Sequence, residues 1–285
     1  MTDETARTEK IESRVGDDLH VDLANRTTYT SYLDLATLFS AHRPLTAAHD
    51  EHLFIIIHHV QELWLKLVDY ELDLAIASIR VGDIGPALKA LARVGRAQEQ
   101  LISAWDVLST MTPADYLVFR GSFGQASGFQ SYQYRKVEFR LGAKDARMLL
   151  PHRHDSKIHA ELEAALQAPS IYDETLRLLA RRGFPVPKEV LERDLCEPHV
   201  FNEALRDLWV DIYRDSQRWF DLYELAEKLV DVEDRFQQWR FRHMKTVERI
   251  IGFKRGSGGS SGVGFLKSAL DRSFFPELWA VRTEL

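Results

Sequence analysis

The chain has 285 residues, 45% of them hydrophobic, and a formal net charge of −6, so it can bury a sizeable core. This charge does not favour binding to nucleic acid or to an anionic membrane surface. A single cysteine, Cys196, excludes an intramolecular disulfide and a Cys-rich zinc site. With no secretory signal or membrane-spanning run in the sequence, we expect a cytoplasmic protein.

The pattern of the first half of the chain predicts helices. Residues 1–27 are polar and are predicted to be a mobile N-terminus, and an amphipathic segment follows from Thr28 to Phe39. A long helical pattern begins near His49. Its apolar positions, three or four residues apart, predict a buried stripe of Leu53, Ile56, Val60, Leu63, Leu67, Tyr70 and Leu74.

The second half continues the helical pattern and shows no alternating pattern of a strand. Helices are predicted near residues 88–108, 113–120, 129–141, 157–167, 172–182 and 201–214. His152, His154 and His159 lie in a polar stretch and are predicted to be solvent-exposed. We therefore predict an all-α fold, with residues 28–285 forming one domain of long helices packed as a bundle.

The most informative segment is a long helix that ends in a glycine-rich loop. Its stripe is Leu222, Leu225, Leu229, Val232, Phe236, Trp239, Val247 and Ile250. His243 occupies the position where the stripe predicts a buried apolar residue. The loop, Gly252–Gly264, offers many backbone N–H groups that no bulky side chain blocks. The alternatives are a core histidine and a flexible linker, but the loop leads straight into another apolar segment.

Other motifs leave further hypotheses open. Four histidines lie within eleven residues and suggest a metal site: His49, His52, His58 and His59. The pair His49–Asp50, together with His58 and His59, suggests an all-helical phosphohydrolase that uses divalent metals. A complete ligand set cannot be assigned. The alternative is that these histidines lie at the surface or at a helix boundary, which accounts for His49 and His52. Because His58 follows three isoleucines, we expect at least one of His58 and His59 to face an apolar interior. A phosphate-binding role for Gly256–Ser261 is disfavoured, because the loop follows a helix and lacks the Lys-Ser ending of a P-loop.

Several segments together resemble one protein family. Six of them are similar to motifs of the tryptophan 2,3-dioxygenases in their bacterial form: Phe54–His58, Glu62–Leu67, Phe119–Ser131, Trp239–Met244, Gly252–Phe265 and Phe274–Trp279. The resemblance covers Tyr29 to Thr283. It implies a haem-dependent dioxygenase that opens the indole ring of L-tryptophan with O2 to give N-formylkynurenine, the first step of the kynurenine route.

The resemblance also implies a cofactor and an assembly. His243 would be the proximal ligand of the iron in one haem b per subunit, bound non-covalently because no Cys-x-x-Cys-His motif is present. Ser127 and Gly128 would lie near the haem and the indole. A haem sensor without catalysis is the competing interpretation, but it gives no role to Arg120, which the resemblance implies binds the carboxylate of the substrate. The family is homotetrameric.

The resemblance further implies which residues hold the substrate. His58 would hydrogen-bond the indole N–H, Phe54 would line the pocket, and Arg120 would pair with the carboxylate, supported by Tyr116. Ser257 stands where related enzymes often carry threonine, and its hydroxyl would reach the ammonium or carboxylate. Residues of the N-terminal segment would cross into the pocket of a neighbouring subunit: Tyr29, Tyr32 and Leu33.

Overall fold

The computed structural model describes residues 23–285, so most of the predicted mobile terminus, 1–27, lies outside the described residues. The described part is all-α, as predicted, with thirteen α-helices and no strand. They are α1 (Tyr29–Tyr32), α2 (Leu35–Ser40), α3 (His49–Val81), α4 (Ile84–Leu108), α5 (Pro113–Phe119), α6 (Tyr132–Leu141), α7 (Ser156–Gln167), α8 (Ile171–Arg181), α9 (Lys188–Leu191), α10 (Glu203–Arg214), α11 (Phe220–Ile251), α12 (Val263–Leu270) and α13 (Pro276–Glu284). Three 3₁₀ turns cover Arg120–Phe123, Gly128–Gln130 and Ala146–His152.

The contacts divide the chain into two units, Met1–Arg43 and Pro44–Leu285. The described part of the first unit contains α1 and α2. Thr28 begins α1 with a capping box, in which its hydroxyl accepts the Ser31 N–H.

Three long helices form the centre of the second unit. α4 packs against both α3 and α11 and so lies between them, while the short α5 also contacts both. The ends of these helices follow from local chemistry. Gly82 adopts a left-handed conformation where α3 ends, and Thr112 caps α5 with Asp115. The remaining helices cover this centre, with α6 and α8 against α3 and α12 against α11.

The predicted stripe of α11 is confirmed from Leu222 to Trp239, since all six residues are buried. The predicted stripe of α3 is wrong over its second half. Leu63, Leu67, Tyr70 and Leu74 are 51%, 37%, 70% and 43% exposed. The helix instead buries the neighbouring face, which includes Leu65, Val68, Leu72 and Ile76. Apolar residues occupy two faces of α3, so periodicity alone could not identify the one that packs in this chain.

The prediction that His152 is exposed is also wrong. This residue ends a 3₁₀ turn beside the small core cluster of α6 and α7 and is only 4% exposed. His154 is exposed, as predicted. None of the helices in residues 23–285 has an apolar stretch long enough to cross a membrane.

Candidate active site

His243 projects from the second half of α11 beside two tryptophans. Its ring is stacked on Trp105 of α4, with centroids 4.5 Å apart and planes 5° apart, and it lies 5.4 Å from the ring of Trp239. Burial, together with a smaller effect of the nearby His58, lowers the pKa of His243 to about 3. No group in residues 23–285 hydrogen-bonds to this imidazole. A neutral ring with an open nitrogen is the form that binds a metal.

His58 projects from the first half of α3. Its Nδ1 lies 2.7 Å from the carbonyl oxygen of Phe54, and since a carbonyl can only accept, Nδ1 carries the proton and donates. Burial lowers the pKa of His58 against the opposing effect of this hydrogen bond. The neutral ring therefore presents Nε2 as an acceptor for a donor N–H.

An aromatic wall stands beside His58. The Phe54 ring lies 4.0 Å from the His58 ring and is stacked on Phe123 at 4.9 Å. Tyr116 and Phe119 of α5 contact Phe54 at 5.9 and 5.7 Å. Such a wall suits the flat, apolar face of an aromatic ligand.

Arg120 follows α5 directly and bonds to the glycine-rich loop. Its Nη2 donates to the carbonyl oxygen of Arg255 at 2.7 Å, and its guanidinium lies 6.0 Å from the centre of the Tyr116 ring. No acidic side chain in the described part of the chain is paired with Arg120. A guanidinium held only by a backbone carbonyl can still receive a carboxylate.

The glycine-rich loop is docked on the segment that precedes the 3₁₀ turn Gly128–Gln130. Ser257 Oγ donates to the carbonyl oxygen of Ala126 at 2.5 Å. A Cβ on Gly258 would lie 2.7 Å from Cβ of Ser127, so only glycine permits this approach. Gly128, in contrast, has no heavy atom within 4 Å of the position of a Cβ. Gly128 is exposed, and its approach to other groups does not depend on the absence of a side chain.

These residues fit a haem. A neutral histidine with an open nitrogen on a rigid helix is a usual axial ligand of haem iron, and the tryptophans and phenylalanines supply apolar surroundings. The alternative of a multi-histidine metal site is not supported, because residues 23–285 contain no group of three or more His, Cys, Asp or Glu side chains placed to hold a metal ion. His49 and His52 are exposed, which agrees with their interpretation as helix-boundary residues.

The predicted site residues of the N-terminal segment belong to the other unit. Tyr29 and Tyr32 lie on α1 and Leu33 ends it, and their side chains are 76%, 79% and 42% exposed. The described part of the chain therefore leaves all three side chains uncovered over a large part of their surface.

Sequence reasoning missed Trp105 as a site residue. It was predicted only as an apolar position of its helix, yet its ring lies parallel to His243. A contact between residues 138 positions apart has no signal in the periodicity of either helix.

An open groove of about 770 Å³ lies elsewhere, between Phe241 and Trp279, and is lined by none of the predicted site residues.

The geometry defines an all-α protein with an open neutral histidine, an aromatic wall and an arginine beside a docked loop. A family model described as tryptophan 2,3-dioxygenase matches residues 16–285. The tryptophan 2,3-dioxygenase of Bacillus cereus is 52% identical over 94% of this chain and 96% of its own length. That of Burkholderia pseudomallei is 54% identical over 93% and 87%. The corresponding Polaromonas protein is 52% identical over 93% and 90%. The chain belongs to the tryptophan 2,3-dioxygenase family.

Proposed function

We propose that this chain catalyses the oxidation of L-tryptophan by O2 to N-formylkynurenine, opening the indole ring between C2 and C3. The observation that carries the proposal is the hydrogen bond from His58 to Phe54, which leaves Nε2 free to accept the indole N–H beside an aromatic wall. Membership in the tryptophan 2,3-dioxygenase family supports the same reaction. We place the enzyme in the cytoplasm.

The cofactor of the proposal is haem b, one per subunit and bound non-covalently, with His243 as the protein ligand of the iron. Haem iron supplies the binding and activation of O2. Trp105 holds the His243 ring by stacking on it, and the rigid α11 fixes the direction in which its nitrogen points. Ser127 and Gly128 would lie beside the haem.

His58 has an orienting role. A neutral imidazole is far too weak a base to remove the proton of an indole nitrogen, but as an acceptor it fixes the rotation of the ring. Phe54 and Tyr116 confine the ring in its plane, because their rings form part of one wall. These contacts would hold the C2–C3 bond of the indole in one orientation in the pocket.

Arg120 and the glycine-rich loop bind the amino-acid end of the substrate. The carboxylate is a stronger acceptor than the Arg255 carbonyl, and two parallel N–H groups of Arg120 match its geometry. Ser257 lies on the docked loop, where its hydroxyl can reach the ammonium or carboxylate. With the loop docked, water is excluded from the reacting centre.

The enzyme is a homotetramer in which the N-terminal segments complete neighbouring sites. Tyr29, Tyr32 and Leu33 are the residues that cross into the next subunit, and their exposure in the single chain supports this role. The exposed stripe of α3, Leu63 to Leu74, is the second surface that a neighbouring subunit covers. An apolar stripe of this length is unusual on a monomer.

The reaction is tested with isotopically heavy O2. The haem-loaded, reduced protein is mixed with L-tryptophan and heavy O2, and the product is analysed by mass spectrometry. We expect N-formylkynurenine that carries two heavy oxygen atoms, one in the formyl group and one in the new ketone. A product with one heavy atom or none, or no consumption of tryptophan, would contradict the proposal.

A further inference from the structure

A buried cluster of three charged side chains lies between α6 and α11. Glu138 of α6 accepts a hydrogen bond from Arg135 Nη1 at 2.5 Å and one from Arg240 Nη2 at 2.9 Å. All three residues are 2–4% exposed. With two guanidinium groups on one carboxylate, the cluster carries a surplus positive charge. Such buried clusters are weak stabilisers, and removing one member is costly.

Arg135 connects this cluster to the segment on which the glycine-rich loop docks. Its Nη2 donates to the carbonyl oxygen of Phe129 at 3.3 Å, and its guanidinium lies 5.0 Å from the centre of the Phe129 ring. The N–H of the same Phe129 points to Ser127 Oγ at 3.4 Å. Arg135 therefore holds the turn that fixes Ser127, the residue against which Gly258 packs.

Arg240 connects the cluster to the other end of the loop. Its Nη1 donates to the carbonyl oxygens of Ala269 and Arg272 at 3.0 and 3.2 Å, where α12 ends. Since α12 begins at Val263, directly after the loop, Arg240 anchors the segment into which the loop runs. Its guanidinium also contacts the rings of Phe236 and Phe274, at 4.8 and 5.0 Å from their centres.

One carboxylate thus joins the docking surface of the loop to its C-terminal anchor. We propose that Glu138, acting through Arg135 and Arg240, is a positioning residue that holds both sides of the glycine-rich loop in the docked arrangement that retains tryptophan. This inference rests on the proposed function for the identity of the ligand. The coupling of the two segments through Glu138 does not depend on it.

The substitution that tests this is Arg135→Met. It cuts the connection to Phe129 but leaves a neutral one-to-one pair of Glu138 and Arg240, so the cluster keeps a charge balance compatible with folding. Arg193→Met is the matched control. Arg193 is also largely buried, pairs with a carboxylate, Asp173, and donates to two carbonyls, those of Asp194 and Glu197. Its partners lie in neither of the two connected segments.

Two measurements are made on the haem-loaded proteins: the dissociation constant of L-tryptophan by absorption titration, and amide hydrogen exchange without tryptophan. For Arg135→Met we expect faster exchange in both 125–131 and 255–262 and about 10-fold weaker tryptophan binding, the effect of one hydrogen bond to a charged group. For Arg193→Met we expect wild-type exchange in both segments and wild-type affinity. Glu138→Gln, which weakens both connections, should increase exchange in both segments at least as much.

The inference is overturned if Glu138→Gln leaves exchange at the wild-type rate in 125–131 or in 255–262. It is also overturned if Arg135→Met speeds exchange only in 125–131, or if its tryptophan affinity matches that of Arg193→Met. A wild-type protein that does not bind tryptophan would refute the proposed function instead. In that case the exchange measurement still decides whether the cluster couples the two segments, because it is made without the substrate.

Discussion

Among single residues, His58 is held in one tautomer by its hydrogen bond to Phe54, and this tautomer determines its role. Because Nδ1 holds the proton, Nε2 can accept the indole N–H but cannot donate. We expect His58→Ala to keep its haem and to lose roughly 10- to 1,000-fold in kcat/KM, the range for one positioned hydrogen-bonding group. Steady-state kinetics with a haem spectrum of each preparation measures this. Complete inactivity with normal haem and normal tryptophan binding would instead require an essential proton transfer at His58.

Arg120 has no carboxylate partner among the described residues and bonds only to the Arg255 carbonyl. Arg120→Leu should lower kcat/KM for L-tryptophan about 10- to 150-fold, because a hydrogen bond to a charged group contributes about 1.5–3 kcal/mol. Most of this loss should appear in KM. An indole substrate without a carboxylate is the control and should lose far less. Equal losses for both substrates would mean that the substitution damages the fold.

The site residues could be predicted from the sequence to different extents. His243 stood out because it interrupts an apolar stripe, and the structure places it in an apolar setting. Arg120, Ser257 and Ser127 were predicted through motif resemblance alone. The stacking of Trp105 and the bond between Arg120 and Arg255 join residues more than a hundred positions apart, so no local pattern encodes them.

Among the structural elements, the glycine-rich loop is docked through the close approach of Gly258 to Ser127. Gly258→Ala would bring a methyl group to 2.7 Å from Ser127 Cβ, so the loop would have to lift. Overpacking of this kind costs about 1–3 kcal/mol, which predicts a KM for tryptophan raised about 5- to 150-fold. Hydrogen exchange of 255–262 should speed up as well.

The matched control for this variant is Gly121→Ala. Gly121 has no heavy atom within 4 Å of the position of a Cβ, so the added methyl group should leave KM and loop exchange unchanged. A Gly258→Ala enzyme with wild-type KM and wild-type exchange would show that docking on Ser127 is not needed for substrate binding.

The helices themselves were largely predictable, because 3.6-residue periodicity and capping residues are local features. The buried face of α3 was not. Its sequence has apolar residues around much of the helix, and the structure buries Leu65 and Leu72 rather than Leu67 and Tyr70. The exposed apolar face of α3 agrees with the proposed contact between subunits.

For the whole molecule, the exposed stripe of α3 predicts how subunits associate. Leu63, Leu67, Tyr70 and Leu74 form an exposed apolar surface on one helix, and in a two-fold contact the same surface of a second copy would cover it. If the proposed tetramer uses this stripe, we expect Leu67→Glu to shift the protein to a smaller species than wild type in analytical ultracentrifugation. Val107→Glu, at a residue of α4 that is also exposed, should leave the tetramer intact. A wild-type monomer, or a Leu67→Glu protein that stays tetrameric, would contradict this role of the stripe.

The measurement that tests the account most directly is the absorption spectrum of the purified protein, oxidised and reduced, with and without L-tryptophan, compared between wild type and His243→Ala. We predict that wild type shows a haem spectrum that changes when tryptophan is added, and that His243→Ala loses stable haem binding or activity, because the iron loses its protein ligand. A His243→Ala protein with the full haem spectrum and normal turnover would contradict the account.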